Sequence, residues 1–196
     1  MKLISSIVLL STGILSCGWP DNTKNDFSGR KANYGDTVKI REVTEVWNYD
    51  DTSKIQTIKT GNTEPLDLVA YANSLTGIPY KYGSVDPAQG FDCSGFITFV
   101  FNHFGIAVPR SSKDFGNVEH NISLRNSKPG DLILFTGTDS TVRQIGHMGI
   151  IASNNGSEIE FIHSTSGKAF GVTTTPLNKY YRGRFVKALR IFSSNN

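Results

Sequence analysis

Gly90-Phe91-Asp92-Cys93-Ser94-Gly95-Phe96 opens the almost wholly apolar segment 94–104, which ends before Gly105. An apolar run of this length predicts a buried helix in preference to a strand, and the glycine is a typical helix stop. Cys93 then lies at the helix N-terminus, where unpaired backbone N–H groups and the helix dipole favour a negative charge. The segment therefore predicts a core helix that presents a cysteine at its first turn.

The rest of the chain places a helix before this segment and strands after it. Thr63 as N-cap and Pro65 in the first turn precede apolar residues at helical spacing, with Gly77 as the stop. A third short helix is expected after Ser112. Strands are expected at 132–135, 147–152, 158–163 and 184–192. Helices first and strands afterwards predict an α+β domain in which helices pack on an antiparallel sheet.

Two of the predicted strands form a hairpin that carries a pair of histidines. The polar turn 153–157 separates these strands and offers a glycine for the left-handed position of a three-residue loop. If the loop centres on Asn155, His147 and His163 face each other with Cβ atoms roughly 4.5 to 5.5 Å apart. A one-residue change of the loop centre makes them diagonal neighbours.

A cysteine at a helix start needs a partner before it can act as a nucleophile. A free thiol has a pKa near 8.5, whereas reactive ones lie at about 3.5 to 7.5, and a helix N-terminus supplies little more than about one unit of that change. An imidazolium about 4 Å away contributes on the order of 4 kcal/mol. We therefore expect His147 to hold Cys93 as a thiolate and later to protonate the leaving amine, with His163 fixing the His147 ring.

Composition bounds the size of the fold and its partners. The 196 residues suffice for one substantial core, and Lys and Arg total 20 against 17 for Asp and Glu, interspersed along the chain. We therefore expect one catalytic domain, a monomer, and no nucleic-acid partner. No His or Cys spacing suits a structural zinc, so we expect neither a metal nor a cofactor; a metal held by Cys93, His147 and His163 is the formal alternative.

The N-terminal segment reads as an export signal. Lys2 precedes an apolar run too short to span a bilayer, and Ile14-Leu15-Ser16-Cys17 resembles a bacterial lipobox. Residues 1–16 are expected to be a signal peptide and Cys17 the lipidated residue, followed to residue 62 by a polar tether and a short β-like arm at 37–60. The catalytic domain is expected at 63–196. An ordinary signal peptide, and a Cys17–Cys93 disulfide, are the alternatives.

Four motifs occur together in the order and spacing of a known family. They cover about residues 64–190 and look like those of the NlpC-type cell-wall cysteine peptidases: Pro79-Tyr80-Lys81-Tyr82-Gly83, Gly90-Phe91-Asp92-Cys93-Ser94-Gly95-Phe96, Pro129-Gly130-Asp131-Leu132 and Gly146-His147-Met148-Gly149-Ile150. The resemblance implies a compact papain-like fold. It also implies a Cys-His-His triad, which maps onto Cys93, His147 and His163.

The same resemblance assigns further residues and a substrate. Tyr80 matches a motif tyrosine thought to help at the oxyanion, Asp92 and Ser94 match residues that hold a substrate amine, and Arg110 matches a family segment whose role is open. Relatives of this type cleave the bond between γ-linked D-glutamate and a diamino acid in peptidoglycan stem peptides. Three departures bear on substrate details: Ser84 replaces a glycine, Phe115 stands where glutamine is common, and the loop 137–145 is longer than usual.

The N-terminal segment and the family resemblance together predict an exported, membrane-anchored lipoprotein of the periplasm or cell envelope that hydrolyses peptidoglycan stem peptides or muropeptides. Two alternatives remain: a wall-binding module without turnover, and a thiol amidase or acyltransferase on the same fold. Two of the predicted site residues could also have a purely structural role. His163 can be a strand residue satisfied by a backbone carbonyl, and Tyr80 can be an aromatic that only packs the core.

Overall fold

The computed structural model describes residues 57–118 and 120–195. A small hairpin of β1 (Val85–Asp86) and β2 (Gly90–Phe91) precedes the main sheet. The strands of the main sheet are β3 (Asn121–Ile122), β4 (Leu132–Thr136), β5 (Ile145–Asn154), β6 (Ile159–Thr165), β7 (Gly171–Pro176) and β8 (Phe185–Leu189). They form an antiparallel sheet in the order β3-β8-β4-β5-β6-β7. The helices are α1 (Pro65–Ser74), α2 (Cys93–His103) and α3 (Lys179–Arg184).

Helix α2 is the buried helix that the sequence predicts. Four of its apolar side chains are fully buried, Phe96, Ile97, Val100 and Phe101, and Phe99 is partly buried. Cys93 is its first residue. The N-cap is Asp92, whose carboxylate accepts the backbone N–H of Gly95 at 2.5 Å. Gly105, just past the helix end, has a φ of 68°, a conformation in which a side chain would be strained. The predicted α+β architecture, with helices on an antiparallel sheet, is confirmed.

The start of α1 differs from the sequence prediction by one residue. The N-cap is Glu64, with no side-chain cap, and the predicted cap Thr63 lies one position too early. The cause is Pro65, because a residue before proline is held extended, and Glu64 has a ψ of 135°. The proline itself begins the helix, where its missing N–H costs nothing.

The register of the β5–β6 hairpin also differs from the prediction. The loop has four residues, Asn155–Glu158, closed by the Asn155 N–H donating to the Glu158 carbonyl at 3.1 Å. Closer to the core, the pairing shifts by one residue at a bulge around Ala152. Ile150 then pairs with Ile162, and this register continues to place His163 beside Gly149. His147 and His163 are therefore diagonal neighbours and not directly opposed.

The sheet separates two hydrophobic clusters, because successive residues of a strand point to opposite faces. Leu132 and Leu134 of β4 pack with α1 and α2, whereas Ile133 and Phe135 pack with Phe161 and α3 on the other face. Both predicted histidines contact this second cluster. The sequence did not predict β7 or α3, and it began the last strand at Arg184, which instead ends α3.

The predictions for the N-terminal part fall outside the described residues. This applies to the signal peptide 1–16, to Cys17, to the tether and to the arm up to residue 56. Residues 57–60 form neither helix nor strand, and Ile58 packs against the core cluster, so core contacts begin before residue 63. Within 57–118 and 120–195, no helix has the length and apolar character needed to cross a membrane.

Candidate active site

One cavity of about 890 Å³ collects most of the chemically capable side chains that the sequence singles out. Cys93 reaches it from the start of α2, His147 from β5 and Tyr80 from the loop before β1. His163 lies behind His147 and is fully buried. The structure therefore brings together the predicted cysteine, both histidines and the predicted tyrosine.

The two histidines form a hydrogen-bonded chain that ends on a threonine. His147 Nε2 lies 2.8 Å from His163 Nδ1, and His163 Nε2 lies 3.0 Å from Thr175 Oγ1. The ring planes of the histidines stand at 74°, with centroids 5.0 Å apart. Because Nε2 of His147 is engaged, Nδ1 is the ring nitrogen left to serve the cavity. The predicted role of His163, holding the ring of His147, fits this geometry.

The electrostatic environment of Cys93 favours the neutral thiol. Burial raises its pKa to about 11, and the neighbouring Asp92 carboxylate acts in the same direction. The backbone N–H groups of Ser94 and Cys93, and the Arg110 guanidinium, oppose the change without reversing it. The helix start thus assists the thiolate, as the sequence predicts, but burial outweighs it.

The histidines are held neutral as well. Burial lowers the pKa of His147 well below its usual value, with contributions from His163 and Arg184. Burial and Arg184 lower the pKa of His163 to about 3. Separation of charge between Cys93 and His147 therefore has to overcome the burial of both groups. Burial favours a thiol beside an imidazole at rest, and the thiolate–imidazolium pair expected from the sequence stays a prediction.

Arg184 is a buried cation at the cavity wall that the sequence analysis missed. Its Nε–H donates to the Gly137 carbonyl, one Nη–H to the Thr136 carbonyl and another to the Tyr180 hydroxyl, each at 2.8 Å. Its guanidinium also lies over the Tyr180 ring, with the carbon 5.0 Å from the centroid. These contacts fix α3 against the loop after β4. The positive charge beside the histidines disfavours their protonation.

Thr175 and Tyr181 are two further cavity residues that sequence reasoning missed. Tyr181 packs edge-on against His163, with ring centroids 5.5 Å apart. Both residues lie on elements that were not predicted. The one available signal was the run 171–176, Gly-Val-Thr-Thr-Thr-Pro, since β-branched residues between glycine and proline are typical of a strand.

Tyr80 is held at the cavity by its backbone and by an aromatic neighbour. Its N–H donates to the Phe170 carbonyl at 3.0 Å, and the two rings lie 6.0 Å apart. Burial raises the pKa of the Tyr80 hydroxyl, and negative charge at Cys93 or Asp92 would raise it further. The hydroxyl therefore stays protonated and is available as a donor next to the thiol.

The three residues predicted to bind substrate form their own network. Arg110 donates to both Asp92 carboxylate oxygens, at 2.7 and 3.2 Å, and to Ser94 Oγ at 2.9 Å. The pair Arg110–Asp92 is a two-pronged ion pair at the N-terminus of α2. These residues do not line the cavity that holds Cys93 and His147. Their predicted contact with substrate stays a prediction, whereas their contact with one another is a feature of the fold.

The three departures from the family pattern leave this arrangement intact. Phe115 is fully buried in the core, and the Ser84 carbonyl accepts the Asp92 N–H at 3.1 Å. The loop 137–145 is tied to the end of α3 by Arg143, whose guanidinium donates to the carbonyls of Gly183 and Phe185. Gly137 and Thr138 of this loop line the cavity. The longer loop thus forms part of its rim.

Metal-ligating side chains do not form a cluster in the part of the chain that the structure describes. Within 57–118 and 120–195, no group of three or more His, Cys, Asp or Glu side chains is placed to hold a metal ion. What the cavity provides is a thiol, a neutral imidazole with an oriented ring, and nearby N–H and O–H donors. This set can perform nucleophilic acyl transfer.

Comparison with known proteins gives consistent matches. A family model described as NlpC/P60 family matches residues 77–190. The probable endopeptidase NlpC of Escherichia coli (strain K12) is 35% identical over 121 residues, which are 60% of this chain and 72% of that protein. The gamma-DL-glutamyl hydrolase of Bacillus subtilis (strain 168) is 33% identical over 124 residues, 63% of this chain but only 29% of that protein.

Solved structures share the fold. A crystal structure of an NlpC/P60 family protein from Bacillus cereus ATCC 10987 superposes with a TM-score of 0.58 at 25% identity, over 72% of this chain and 43% of that one. The papain-like fold, with the cysteine at a helix start over an antiparallel sheet, is confirmed. Because this chain covers only 29% of the Bacillus subtilis protein and 43% of the Bacillus cereus protein, it corresponds to one region of each.

Proposed function

The chain belongs to the NlpC/P60 family, and from that membership we propose that it is a cysteine endopeptidase that hydrolyses peptidoglycan stem peptides. The observation that carries the proposal is the cavity that both Cys93 and His147 line, with His163 hydrogen-bonded to His147. A wall-binding module without turnover would have no need for a cysteine and two hydrogen-bonded histidines in this arrangement.

In the proposed reaction, the proton of Cys93 Sγ–H moves to His147 Nδ1 in the same step in which the sulfur attacks. The sulfur attacks the peptide carbonyl carbon, and the resulting oxyanion is stabilised by the Cys93 backbone N–H and the Tyr80 hydroxyl. His147 then gives its proton to the leaving nitrogen, so that the C–N bond breaks and a thioester with Cys93 remains. Water, deprotonated by His147, hydrolyses the thioester and restores the thiol.

The proposed scissile bond joins γ-linked D-glutamate to the following diamino acid. The similarity to a gamma-DL-glutamyl hydrolase supports this choice. The similarity to Murein DD-endopeptidase MepS/Murein LD-carboxypeptidase of Escherichia coli (strain K12), at 34% identity over 57% of that protein, supports action on murein peptides but not this particular bond. Substrate entry over the rim formed by Gly137 and Thr138 leaves room for an extended peptide in a cavity of about 890 Å³.

Defined muropeptides test the proposal. The full chain is incubated with a disaccharide tetrapeptide, and the products are weighed by mass spectrometry. We expect a disaccharide dipeptide that ends in D-glutamate and a released dipeptide that begins with the diamino acid. Loss of the whole peptide would instead identify an amidase, a product extended by an acyl acceptor would identify a transferase, and binding without any product would identify a wall-binding module.

We also propose an extracytoplasmic location with a lipid anchor. The relatives' names place their action on murein, which lies outside the cytoplasm, and the sequence Ile14-Leu15-Ser16-Cys17 supplies the anchor motif. Lipid attachment is tested by metabolic labelling with palmitate of the full chain and of Cys17→Ala. We expect label in the first and none in the second; equal labelling of both would refute anchoring at Cys17.

A further inference from the structure

Thr175 ends the series of hydrogen bonds that begins at His147. It lies on β7, two residues from Thr173, which pairs with His163 across the strands. Its Oγ1 is 3.0 Å from His163 Nε2, and its side chain lines the cavity. None of the sequence motifs includes it.

The directions of the hydrogen bonds follow from what His147 must do. To accept the Cys93 proton, Nδ1 of His147 must be bare, so that its ring proton is on Nε2. Nε2–H then donates to His163 Nδ1, which must be bare in turn. His163 therefore carries its proton on Nε2, and the only partner in the described structure within hydrogen-bond distance of that nitrogen is the Thr175 hydroxyl.

The reverse set of directions is unproductive. If His163 carried its proton on Nδ1, it would donate to a bare His147 Nε2, and the His147 proton would sit on Nδ1, facing the thiol. Two protons would then meet between sulfur and nitrogen, and no base would be available. The choice of ring nitrogen on His163 therefore decides whether Cys93 can be deprotonated.

We propose that Thr175 is a positioning residue that accepts the His163 Nε2 proton and thereby holds both histidines in the tautomers that leave His147 Nδ1 free as a base. The proposal rests on the proposed function and adds a fourth member to its catalytic chain. Thr175 itself touches neither the sulfur nor the scissile bond in this scheme.

The neighbouring threonine supplies a matched control. Thr174 precedes Thr175 on the same strand, is exposed, and donates its hydroxyl to Asn73 Oδ1 at 3.2 Å, away from the cavity. Thr175→Val and Thr174→Val make the same change of atoms on opposite faces of β7. Thr175→Ser restores the hydroxyl at the first position.

Steady-state kinetics on the full chain give the first readout. One hydrogen bond is worth about a factor of ten in rate. We expect Thr175→Val to lower kcat about tenfold with KM within twofold of the unchanged chain, Thr175→Ser to recover most of kcat, and Thr174→Val to behave as the unchanged chain. A Thr175→Val kcat equal to that of the unchanged chain would overturn the proposal.

Nitrogen-15 NMR of histidine-labelled protein gives a readout that does not depend on turnover. We expect the His163 shifts to report a proton on Nε2 in the unchanged chain, and a loss of that single form in Thr175→Val. A proton on Nδ1 of His163 in the unchanged protein would refute the proposed direction of the hydrogen bonds. If the unchanged chain has the expected tautomer but cleaves no stem peptide, the proposed function fails while the assignment of Thr175 stands.

Discussion

At the scale of single residues, the proposed chemistry depends on two groups that burial keeps uncharged. Burial raises the pKa of Cys93 and lowers that of His147, so that charge separates only when the substrate carbonyl is present to receive the sulfur. Nearby cationic charge acts on both groups: Arg110 assists the thiolate, and Arg184 opposes the imidazolium. We therefore expect proton transfer to accompany the attack and not to precede it.

The resting protonation state can be tested through the alkylation rate of Cys93. Thiolate reacts with iodoacetamide, so the rate follows the thiolate fraction. Because burial raises the Cys93 pKa to about 11, we expect the rate to rise about tenfold per pH unit from pH 6 to 9. The measurement is mass-spectrometric mapping of the Cys93 peptide, which separates it from Cys17. A plateau of high reactivity below pH 7 would show a resting ion pair instead.

At the scale of elements, the two histidines share a face of the sheet because a bulge shifts the pairing register of their hairpin by one residue. With the four-residue loop alone, the pairing next to the turn would place His147 and His163 on opposite faces of the sheet. The bulge around Ala152 adds one residue to β5 and restores the shared face. Register and bulge together determine the 2.8 Å contact between the rings.

Helix α2 is brought to the site by a close backbone contact at Gly95. A Cβ at this position would lie 2.1 Å from the Ser84 carbonyl oxygen, which is backbone and cannot move aside alone. We expect Gly95→Ala to lower the free energy of unfolding by about 1 to 3 kcal/mol and to displace Cys93, so that activity falls as well. Urea denaturation and turnover of the full chain measure the two effects.

Gly183 supplies the control for this substitution. It also lies in a helix, α3, but nothing stands within 4 Å of its missing Cβ. Since alanine is favoured over glycine in helices by up to about 1 kcal/mol, Gly183→Ala should leave stability unchanged or raise it slightly. Equal effects of the two substitutions would mean that helix propensity, and not the contact with Ser84, governs Gly95.

The elements also show what the sequence can and cannot predict. Helix α2 and its cysteine followed from an apolar run with a clear stop, and the contact between the two histidines followed from strand alternation. The exact register did not, because it depends on the loop length and on the bulge around Ala152. Thr175 was missed although the run 171–176 is typical of a strand. Arg184 was missed because α3 has only six residues, so that tertiary packing more than local pattern determines where it lies.

At the scale of the whole molecule, the buried histidines couple stability to pH. The pKa of His163 is lowered to about 3, against about 6.5 in an unfolded chain. Between these values the unfolded state binds more protons than the folded state, so stability is fully present above about pH 6.5 and is lost as the pH falls towards 3. His147 acts in the same direction.

Urea denaturation at pH 7 and at pH 4.5 tests this coupling. Because the pKa of His163 is linked to stability, protonation of this residue in the unfolded state should lower the unfolding free energy of the unchanged chain by about 2 to 3 kcal/mol between pH 7 and pH 4.5. His163→Gln removes the titrating group, and its loss between the same pH values should be smaller by about that amount. Comparing each protein with itself cancels any constant effect of the substitution. Equal losses in both proteins would show that His163 is not buried in its neutral form.

The most direct test of the account is whether Cys93 and His147 act as one unit. Turnover of a defined muropeptide is measured for the full chain, for Cys93→Ala, for His147→Ala and for the double variant, each with circular dichroism to verify the fold. Because each group is useless without the other, we expect every single variant to lose at least about 10³-fold and the double variant to lose no more. Losses that multiply in the double variant, or substantial turnover by Cys93→Ala, would contradict a thiol nucleophile served by this imidazole.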